Sequence, residues 1–305
     1  MKKKILLAGG SGLIGKRMVE YFNTDKYEFH ILSRKQRKGG ENYKYFIWDT
    51  DVQSIDKAAL KEVDVIINLA GAGIADKRWT EARKKEILSS RVNSIETIEK
   101  YLSEMKSNMI YIGASAIGYY GDQGDRKLTE KDDSGSGFLA EVTEAWEKAH
   151  LTIKTKFKRQ ILFRIGIVLS SNGGALKEIM KPAAAGVYGY FGNGSAYYSW
   201  VHIDDICKMI QESIENESYD GIYNATAEDP VPIKSLVAAV KKAKSGSGLL
   251  LPVPEFALKL ALGQMEEMLT NSTRVIPQKL MDENYEFIFP DSPEKAIKDI
   301  IEKKI

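Results

Sequence analysis

Short apolar runs alternate with amphipathic stretches through the first half of the chain. The runs have the length of strands, and the stretches repeat apolar residues at helical spacing. This alternation predicts a doubly wound α/β fold, in which helices cover both faces of a parallel sheet. The predicted strands cover residues 4–8, 28–33, 43–48, 63–70, 109–115, 160–169 and 221–225, and the predicted helices cover 13–23, 57–62, 80–105 and 137–154.

The pattern changes at about residue 170. Glycines become frequent from 173 to 194 around an aromatic cluster, and a leucine- and alanine-rich helix is predicted from about Pro254. We expect this part to form a smaller α/β lobe over the carboxyl edge of the sheet, where open α/β sheets bind ligands. The predicted domains are a larger sheet-containing domain at 1–169 plus about 200–227, and a smaller lobe at 170–199 and 228–305.

The first predicted strand runs directly into the glycine spacing G-x-x-G-x-x-G, and a predicted helix follows. Gly9 permits a sharp turn, Gly12 leaves room for a pyrophosphate, and Gly15 permits close packing of helix on strand. The helix N-terminus then offers N–H groups to the phosphates. The strand–turn–helix context favours a Rossmann-type dinucleotide site over a turn that binds nothing. The candidate residues are Gly9, Gly10, Ser11, Gly12, Leu13, Ile14 and Gly15.

The ends of the next strands indicate which dinucleotide binds. Ser33 and Arg34 stand where NAD-binding proteins place a carboxylate for the ribose 2′-hydroxyl. Arg34 can pair with a 2′-phosphate, which predicts NADP(H); the alternative is a solvated basic loop. Asp49 is placed either to hold the adenine amino group or to cap a turn. The fourth predicted strand ends in Leu69-Ala70-Gly71. The small residues of this segment permit the chain to pass under the cofactor ribose.

Composition excludes several classes of protein. The chain has 305 residues, 43% of them apolar, and a net charge of +2, so it has no strong attraction to nucleic acid or to an anionic membrane. The single cysteine, Cys207, excludes a disulfide scaffold and a cysteine zinc site and favours a reducing compartment. No residue cluster has metal-site spacing, so no metal is expected. Without a signal core or membrane-length apolar run, we expect a cytoplasmic protein.

Several segments together resemble the extended short-chain dehydrogenase/reductase family, also described as the NAD-dependent epimerase/dehydratase group. The resemblance spans nearly the whole chain and is closer to an atypical subgroup described as nucleoside-diphosphate-sugar epimerases with a small C-terminal domain. The matching segments are 9–15, 68–71, 78–80, 90–94, 114–121, 164–169, 173–176, 199–205, 262–263 and 274–277. The resemblance implies further cofactor contacts at Asn93, Ala114, Ile165 and Gly166.

The family's chemistry uses a tyrosine as acid/base and a lysine four residues later. The resemblance places these residues at Phe138 and Val142, and neither side chain moves a proton. No tyrosine in the chain has a lysine at that spacing. The resemblance therefore implies the fold and the cofactor, and it leaves the reaction open.

Three other residues are candidates for the chemistry. Ser115 ends the fifth predicted strand and could orient a substrate oxygen, unless nearby backbone satisfies its hydroxyl. Tyr119, in the loop that follows, could act as an acid or could simply pack. Glu141 lies on the helix that normally carries the tyrosine–lysine pair; it could act as a base if it turns inward, and is otherwise a solvated carboxylate.

The expected substrate is a small molecule. Trp200 and His202 are candidate contacts, although His202 could instead bridge loop and core, with Asp204 and Asp205 capping the next helix. After Arg164 the chain contains only one arginine, Arg274, so a two-arginine clamp on a diphosphate from this part is excluded. The aromatic cluster suits a flatter, less charged ligand, or forms the core of a lid.

These features predict an NADP(H)-dependent oxidoreductase or epimerase-like isomerase acting on a small carbonyl or alcohol. The alternative is a non-catalytic protein that senses NADPH, which the missing tyrosine and lysine favour. Neither a nucleic acid nor a membrane is an expected partner. A homodimer through the predicted helix at 80–105 is a further expectation, and the alternative is that the apolar face of this helix belongs to the core.

Overall fold

The computed structural model describes residues 1–183, 185–244 and 246–305. Its strands are β1 (Lys3–Ala8), β2 (Tyr27–Ser33), β3 (Tyr43–Asp49), β4 (Ser54–Ile55), β5 (Val65–Asn68), β6 (Ile110–Ala116), β7 (Lys127–Leu128), β8 (Arg159–Ile165), β9 (Ile167–Leu169), β10 (Val187–Phe191), β11 (Tyr197–Tyr198), β12 (Trp200–His202), β13 (Gly221–Ala225), β14 (Val231–Pro232), β15 (Leu249–Val253) and β16 (Arg274–Val275). Its α-helices are α1 (Leu13–Tyr21), α2 (Glu81–Lys100), α3 (Phe138–Thr152), α4 (Gly174–Ala183), α5 (Ile203–Glu215), α6 (Ile233–Lys244), α7 (Glu255–Leu262), α8 (Glu267–Thr270), α9 (Gln278–Asp282) and α10 (Pro293–Lys303).

The central sheet has eight strands in the order β13-β8-β6-β5-β1-β2-β3-β4. Neighbouring strands pair in parallel, except that β4 is antiparallel to β3. The strand order runs outward from β1 in both directions, which is the arrangement of a doubly wound sheet. The predicted Rossmann-type fold is therefore confirmed. The carboxyl ends of β1, β2, β5, β6 and β8 meet at one edge.

Side chains of β1 alternate between two cores. Ile5 and Leu7 pack on the side covered by α1 and α5, whereas Leu6 and Ala8 join the cluster formed with α2 and α3. All four are fully buried. A central strand of a parallel sheet is covered on both faces, which explains its continuous apolar run.

Two predicted helices differ most from the structure. The predicted helix at 57–62 is a single 3₁₀ turn, Lys57–Leu60, that Asp56 caps. The predicted helix at 80–105 ends at Lys100, and a separate 3₁₀ turn, Leu102–Glu104, follows it. Among the described residues, no helix is both long enough and apolar enough to cross a membrane.

The predicted strand at 160–169 divides into β8 and β9. The N–H of Gly166 donates to Ala225 on β13, but the N–H of Ile167 donates to Ser199. The chain thereby leaves the central sheet, and β9 pairs with β12 instead.

Part of the aromatic cluster belongs to a third core. Tyr188, Tyr198 and Trp200 pack with side chains of α4, α6 and α10, and each is exposed by 3% or less. Tyr190 and Phe191 are only partly buried against this core. The division of the chain into two domains stays a prediction.

The start of α5 differs from the sequence expectation. Its N-cap is His202, whose Nδ1 accepts the N–H of Asp204 at 3.0 Å, and the two expected caps lie within the first turn. Asp204 instead binds Arg17 of α1, with N–O distances of 2.6 and 3.0 Å. Asp205 accepts the backbone N–H groups of Ile288 and Phe289. The first turn of α5 thus ties α1 and the C-terminal segment together.

We expect His202→Asn to reduce the acid sensitivity of the fold. Burial lowers the pKa of His202 from 6.5 to about 4. As the pH falls below about 6.5, the unfolded chain binds a proton here that the folded protein does not bind until about pH 4, so the free energy of unfolding falls over that interval. Asparagine keeps an N-cap acceptor without titrating. Urea unfolding of both proteins from about pH 7 to about pH 4 measures the difference.

The difference in pH dependence between the two proteins reports on His202, because the other buried groups titrate in both. Burial gives His150 a pKa of about 3 and raises the pKa of Asp205 to about 6. Up to about 3 kcal/mol of the pH dependence should disappear in the variant. The same pH slope in both proteins would contradict the prediction.

Candidate functional site

The glycine turn after β1 brings strand and helix into direct contact. Gly9 has a φ of +87°, a conformation that favours glycine, and its carbonyl accepts the N–H of Gly12 at 3.0 Å. A Cβ atom at Gly15 would lie 2.5 Å from the Gly9 oxygen, so α1 packs too closely for any side chain there. Ser11 and Gly12, on the outside of the turn, are exposed.

The N-terminus of α1 fits the phosphates of a dinucleotide. Gly12 is the N-cap, no side chain caps the helix, and no acidic residue lies in its first turn. The first N–H groups of a helix have no partners within it, and the helix dipole adds a partial positive charge. A Cβ atom at Gly12 would contact only the Gly9 oxygen, at 3.2 Å, which leaves open space for an anion.

Ser33 ends β2 at the same edge, and Arg34 follows it. The hydroxyl of Ser33 donates to the carbonyl of Lys35 at 2.8 Å and so fixes the start of the loop. Arg34 is exposed, and it forms no ion pair within the described part of the chain. Arg37 lies 5.9 Å from the ring centroid of Tyr45. The guanidinium of Arg34 therefore remains available to a ligand.

Asp49 ends β3 and organises a turn. Its Oδ1 accepts the N–H of Asp51 at 2.8 Å and that of Val52 at 3.5 Å, and the residue is exposed. The structure thus shows the turn carboxylate that the sequence left open as an alternative. A contact with adenine stays a prediction for the other carboxylate oxygen.

The turn after β5 touches the glycine turn. A Cβ atom at Gly9 would lie 2.7 Å from the carbonyl carbon of Leu69. The buried side chain of Asn68 holds this turn: its Oδ1 accepts the N–H of Ala70 at 3.1 Å, and its Nδ2 donates to Ser94 Oγ at 3.0 Å. Two of the predicted cofactor segments are therefore adjacent in the structure.

Arg91 of α2 supports the loop that continues from this turn. Its Nη1 donates to the carbonyl of Ala72 at 3.1 Å, and its guanidinium lies 4.9 Å from the ring centroid of Trp146. Burial, with Arg83 as a second cause, lowers the pKa of Arg91 to about 10. Gly71, which precedes Ala72, is exposed, and Asn93, which follows Arg91 by two residues, is half-buried.

Ser115, at the carboxyl end of β6, belongs to a buried hydrogen-bond network. Its hydroxyl donates to Glu147 Oε1 at 2.6 Å. Glu147, on α3, forms a bidentate ion pair with Arg164 of β8, and both N–O distances are 2.8 Å. The three residues are exposed by only 2–4%. An ionised carboxylate only accepts hydrogen bonds, so Ser115 is the donor, and its lone pairs remain to accept.

Arg164 also organises the turn after β6. Its Nη1 donates to the hydroxyl of Tyr120 at 2.9 Å, and that hydroxyl donates to Asn224 of β13 at 2.8 Å. The guanidinium carbon lies 3.5 Å from the ring centroid of Tyr119, which is a close cation–π contact. Burial by itself lowers the pKa of Arg164, but hydrogen bonds to Glu147 and Tyr120 raise it overall. Arg164 is thus a fixed cation at this edge.

The other two catalytic candidates, Tyr119 and Glu141, differ in their surroundings. Tyr119 is half-buried in the 3₁₀ turn after Ser115, against Arg164. Glu141 is exposed on the first turn of α3, so the carboxylate that faces Ser115 is Glu147 instead. The catalytic roles of Ser115, Tyr119 and Glu141 stay predictions.

Phe138 and Val142 lie at the positions of the family's tyrosine and lysine. Both are buried in an apolar cluster with Trp79 and Met265. These two positions of α3 therefore carry no group that can give or take a proton.

Trp200 and His202 lie in the core. Neither has exposed surface; Trp200 donates to the carbonyl of Asp229 at 3.0 Å, and His202 caps α5. Neither side chain reaches the surface in this conformation, so the structure gives no support to the expected substrate contacts. Ala114, Ile165 and Gly166, in contrast, lie at the carboxyl ends of β6 and β8, and their cofactor contacts stay predictions.

Sequence analysis missed Glu147, although a signal for it was present. It lies at helical spacing with Thr143, Trp146 and His150, which form the buried stripe of α3. A carboxylate on a buried stripe needs a buried cation. Arg164, inside an apolar strand, is the complementary signal.

Comparison with known families matches two regions of the chain. Residues 5–153 match the NAD dependent epimerase/dehydratase family, and residues 253–300 match a Domain of unknown function (DUF1731). Epimerase family protein YfhF of Bacillus subtilis (strain 168) is 32% identical over 290 residues, which cover 94% of each chain. The chain belongs to the NAD-dependent epimerase/dehydratase family. The family predicted from the sequence motifs is confirmed.

Two further relatives of this epimerase/dehydratase family member match over most of their lengths. The SDR39U1 homolog, chloroplastic, of Arabidopsis thaliana is 30% identical, over 97% of this chain and 85% of its own. The crystal structure of human epimerase family protein SDR39U1 (isoform2) with NADPH superposes with a TM-score of 0.84 at 25% identity, over 98% of this chain and 99% of its own. The shared fold therefore includes the C-terminal part.

We expect Glu147→Gln to lower the free energy of unfolding by about 3–5 kcal/mol, because it leaves a buried guanidinium without its carboxylate. The double variant Glu147→Leu/Arg164→Met should lose less, since it removes both charges. Urea unfolding measures both changes.

Glu144→Gln is the matched control, because Glu144 forms an exposed ion pair with Lys148 on the same helix. Its effect should stay below about 1 kcal/mol. If the double variant is as unstable as Glu147→Gln, the unpaired charge of Arg164 is not the cause of the lost stability.

Proposed function

We propose that this family member binds NADP(H) and catalyses hydride transfer to or from a small carbonyl or alcohol substrate. The nicotinamide supplies the hydride chemistry when it is bound. The observation that carries the proposal is the arrangement of the carboxyl edge: the uncapped start of α1, the exposed Arg34 and the Ser115 network all lie there.

Two features support NADP(H) as the cofactor. Arg34 follows β2 with a free guanidinium, and no carboxylate stands there to accept from a ribose 2′-hydroxyl. The human relative with a TM-score of 0.84 was crystallised with NADPH. In the proposed complex Arg34 pairs with the 2′-phosphate, and the N–H groups of α1 hold the pyrophosphate.

At the reacting end, Ser115 positions the substrate oxygen. The Ser115 hydroxyl, which donates to Glu147 Oε1 in the structure, turns to donate to the substrate oxygen, and the Glu147 carboxylate keeps its ion pair with Arg164. Tyr119 gives or takes the proton at the same oxygen, directly or through water. Arg164 fixes the ring of Tyr119 from one face. The exposed Glu141 takes no part in this arrangement.

A non-catalytic NADPH sensor is the second candidate. Phe138 and Val142 leave α3 without the family's tyrosine–lysine pair, and Ser115 is exposed by only 2%. A protein that reports cofactor binding to a partner needs no proton donor, so both observations favour this alternative.

A cleft between the segment 122–125 and the loop that joins β10 to β11 suits a substrate without a diphosphate. Its lining includes Asp122, Asp125, Phe191 and Tyr197. The guanidinium of Arg274 lies 4.5 Å from the ring centroid of Tyr197, and its Nη1 donates to a carbonyl oxygen. A single stacked arginine near three acidic residues, Asp122, Asp125 and Glu255, is a poor diphosphate site, so we infer that the substrate is not a nucleoside-diphosphate sugar.

Arg34→Ala should weaken NADPH binding and leave NADH binding nearly unchanged. Loss of the contact with the 2′-phosphate removes about 1.5–3 kcal/mol, roughly ten- to a hundredfold in affinity. Calorimetric titration of both cofactors measures the preference. The control is Lys61→Ala, an exposed cation beside the amino end of β1. A wild-type protein that binds neither cofactor, or prefers NADH, would overturn the assignment.

Turnover distinguishes the enzyme from the sensor. We expect NADPH oxidation, followed by absorbance, with at least one compound in a panel of quinones, aldehydes and ketones. Ser115→Ala should lower kcat by about a hundredfold while NADPH still binds, because the oxygen loses its orientation. NADPH binding without turnover, together with a co-purifying partner, would favour the sensor. Micromolar binding of a nucleoside-diphosphate sugar in calorimetry would refute the inferred substrate class.

A further inference from the structure

Arg91 of α2 is a partly buried cation that the described part of the chain does not pair with a carboxylate. Arg164 is paired with Glu147, and Arg83, also on α2, lies 2.8 Å from a carboxylate oxygen of Glu86. Burial lowers the pKa of Arg91 to about 10, and the second cause is another cation, Arg83. A charge that leaves water needs a counter-charge or hydrogen bonds to all of its donors. Arg91 has to be compared with both possibilities.

Three of the five N–H donors of Arg91 have no acceptor in the part of the chain that the structure describes. Nη1 makes two hydrogen bonds, to the carbonyls of Ala72 at 3.1 Å and Ile87 at 2.8 Å, and Nε and Nη2 make none. The indole ring of Trp146 lies 4.9 Å from the guanidinium carbon, and its buried N–H also lacks an acceptor among these residues. Donors therefore outnumber acceptors around Arg91, and an oxygen anion would restore the balance.

The end of a helix can also offset a buried arginine, and Arg159 is an example. Its guanidinium donates to the carbonyls of Ser213 and Ile214 in the last turn of α5, where the helix dipole is negative. Arg91 has no such partner, because the carbonyl of Ile87 lies in the middle of α2. The positive charge of Arg91 thus stays without compensation from the described residues.

The nitrogens that Arg91 leaves unused are those that bind carboxylates elsewhere in this chain. Arg164 holds Glu147 through Nε and Nη2, both at 2.8 Å. Arg17 holds Asp204 through the same two nitrogens, at 2.6 and 3.0 Å. Their hydrogens point in parallel from one side of the planar guanidinium and match the spacing of two carboxylate oxygens. Arg91 therefore keeps its carboxylate-binding side available.

Arg91 lies close to the proposed reacting group. A Cβ atom at Gly71, in the turn after β5, would lie 3.2 Å from the guanidinium carbon, and Gly71 is exposed. β5 is the parallel neighbour of β6, which carries Ser115 at its carboxyl end. On α3, Trp146 contacts Arg91 and the next residue, Glu147, binds Ser115. Arg91 and Ser115 thus contact consecutive residues of α3 at the same edge of the sheet.

We propose that Arg91 binds a carboxylate of the substrate, so that the substrate is an oxo acid or a hydroxy acid. The inference rests on the proposed function, because it takes Ser115 as the contact of the reacting oxygen. The carboxylate keeps its bonds and its charge through the reaction. In the reduction, the carbonyl carbon takes the hydride of NADPH and the carbonyl oxygen takes a proton from Tyr119.

A carboxylate fits Arg91 better than a phosphate does. One side of a guanidinium binds two coplanar oxygens, and a phosphate brings a third charged oxygen that needs another donor. The neighbouring cation Arg83 is already engaged by Glu86. In the proposed complex the phosphates of the cofactor are held by the start of α1 and by Arg34, so Arg91 remains for the substrate.

Calorimetric titration of the cofactor-free protein tests the carboxylate site with benzoate and benzamide, which have the same shape and differ in charge. We expect benzoate to bind at least about tenfold more tightly, and Arg91→Gln to remove this preference. Arg91→Lys keeps the charge but not the fork, and it should retain only part of the preference. The matched control is Arg78→Gln, since the Arg78 guanidinium also donates to two backbone carbonyls, those of Leu260 and Ala261. Circular dichroism checks that each variant is folded.

Turnover tests whether the carboxylate belongs to the substrate. With NADPH, the wild-type protein should reduce 4-carboxybenzaldehyde with a kcat/KM at least about tenfold above that of its methyl ester. Arg91→Gln should raise KM for the acid and leave both the ester and the Kd of NADPH nearly unchanged.

The outcomes separate this inference from the proposed function. Equal binding of benzoate and benzamide by the wild-type protein, or a preference that Arg91→Gln leaves intact, would overturn the inference. Weaker NADPH binding by Arg91→Gln would assign Arg91 to the cofactor and would overturn it as well. Turnover without preference for the acid would refute the carboxylate and leave the proposed reaction standing. A benzoate preference that depends on Arg91, without turnover of either aldehyde, would support the carboxylate site and count against the proposed reaction.

Discussion

A single buried ion pair, between Glu147 of α3 and Arg164 of β8, fixes the carboxyl edge of the sheet. Glu147 accepts the hydroxyl proton of Ser115 on β6, and Arg164 holds the rings of Tyr119 and Tyr120 in the turn that follows. Tyr120 then links this turn to β13. Two charges taken out of water are tolerated only when each satisfies the other and further hydrogen bonds fill the remaining sites. Because one arginine meets that requirement, the orientation of Ser115 and of the turn after β6 depends on it.

A neutral network lies beside this charged one. Asn68 at the end of β5 donates to Tyr111 of β6 at 3.3 Å, and the hydroxyl of Tyr111 lies 2.8 Å from His150 Nδ1. Burial lowers the pKa of His150 to about 3, so its ring is neutral at ordinary pH. These residues shape the turn that touches the glycine loop, whereas the charged network shapes the turn after β6. A neutral network and a charged one thus start from the same helix, because His150 and Glu147 both lie on α3.

The family's tyrosine–lysine pair joins a proton donor and a cation on one helix. In this chain those positions, Phe138 and Val142, carry only apolar side chains. A tyrosine, a serine and a cation nevertheless meet at the same edge, supplied by the turn after β6, by β6 itself and by β8. The cation at this edge is Arg164 of β8, and Glu147 pairs with its charge. Polar groups of the same kinds thus come from elements other than α3 in this chain.

Much of the fold could be predicted from the spacing of residues within short segments of the sequence. These segments show the glycine turn, the strand ends that follow it and the alternation of strands with helices, and the order of the motifs indicates the family. The ends of elements depended on longer-range contacts: β8 and β9 separate because β12 offers a different hydrogen-bond partner, and His202 caps α5 because Arg17 and the C-terminal segment engage the two aspartates. Glu147 could have been suspected from the buried stripe of α3 and Arg164 from its place in an apolar strand, but the sequence does not show that the two pair. Only the tertiary structure decided that Ser115 faces Glu147, that Trp200 and His202 are buried and that Arg91 packs on Trp146, because these facts depend on residues far apart in the chain that only folding brings together.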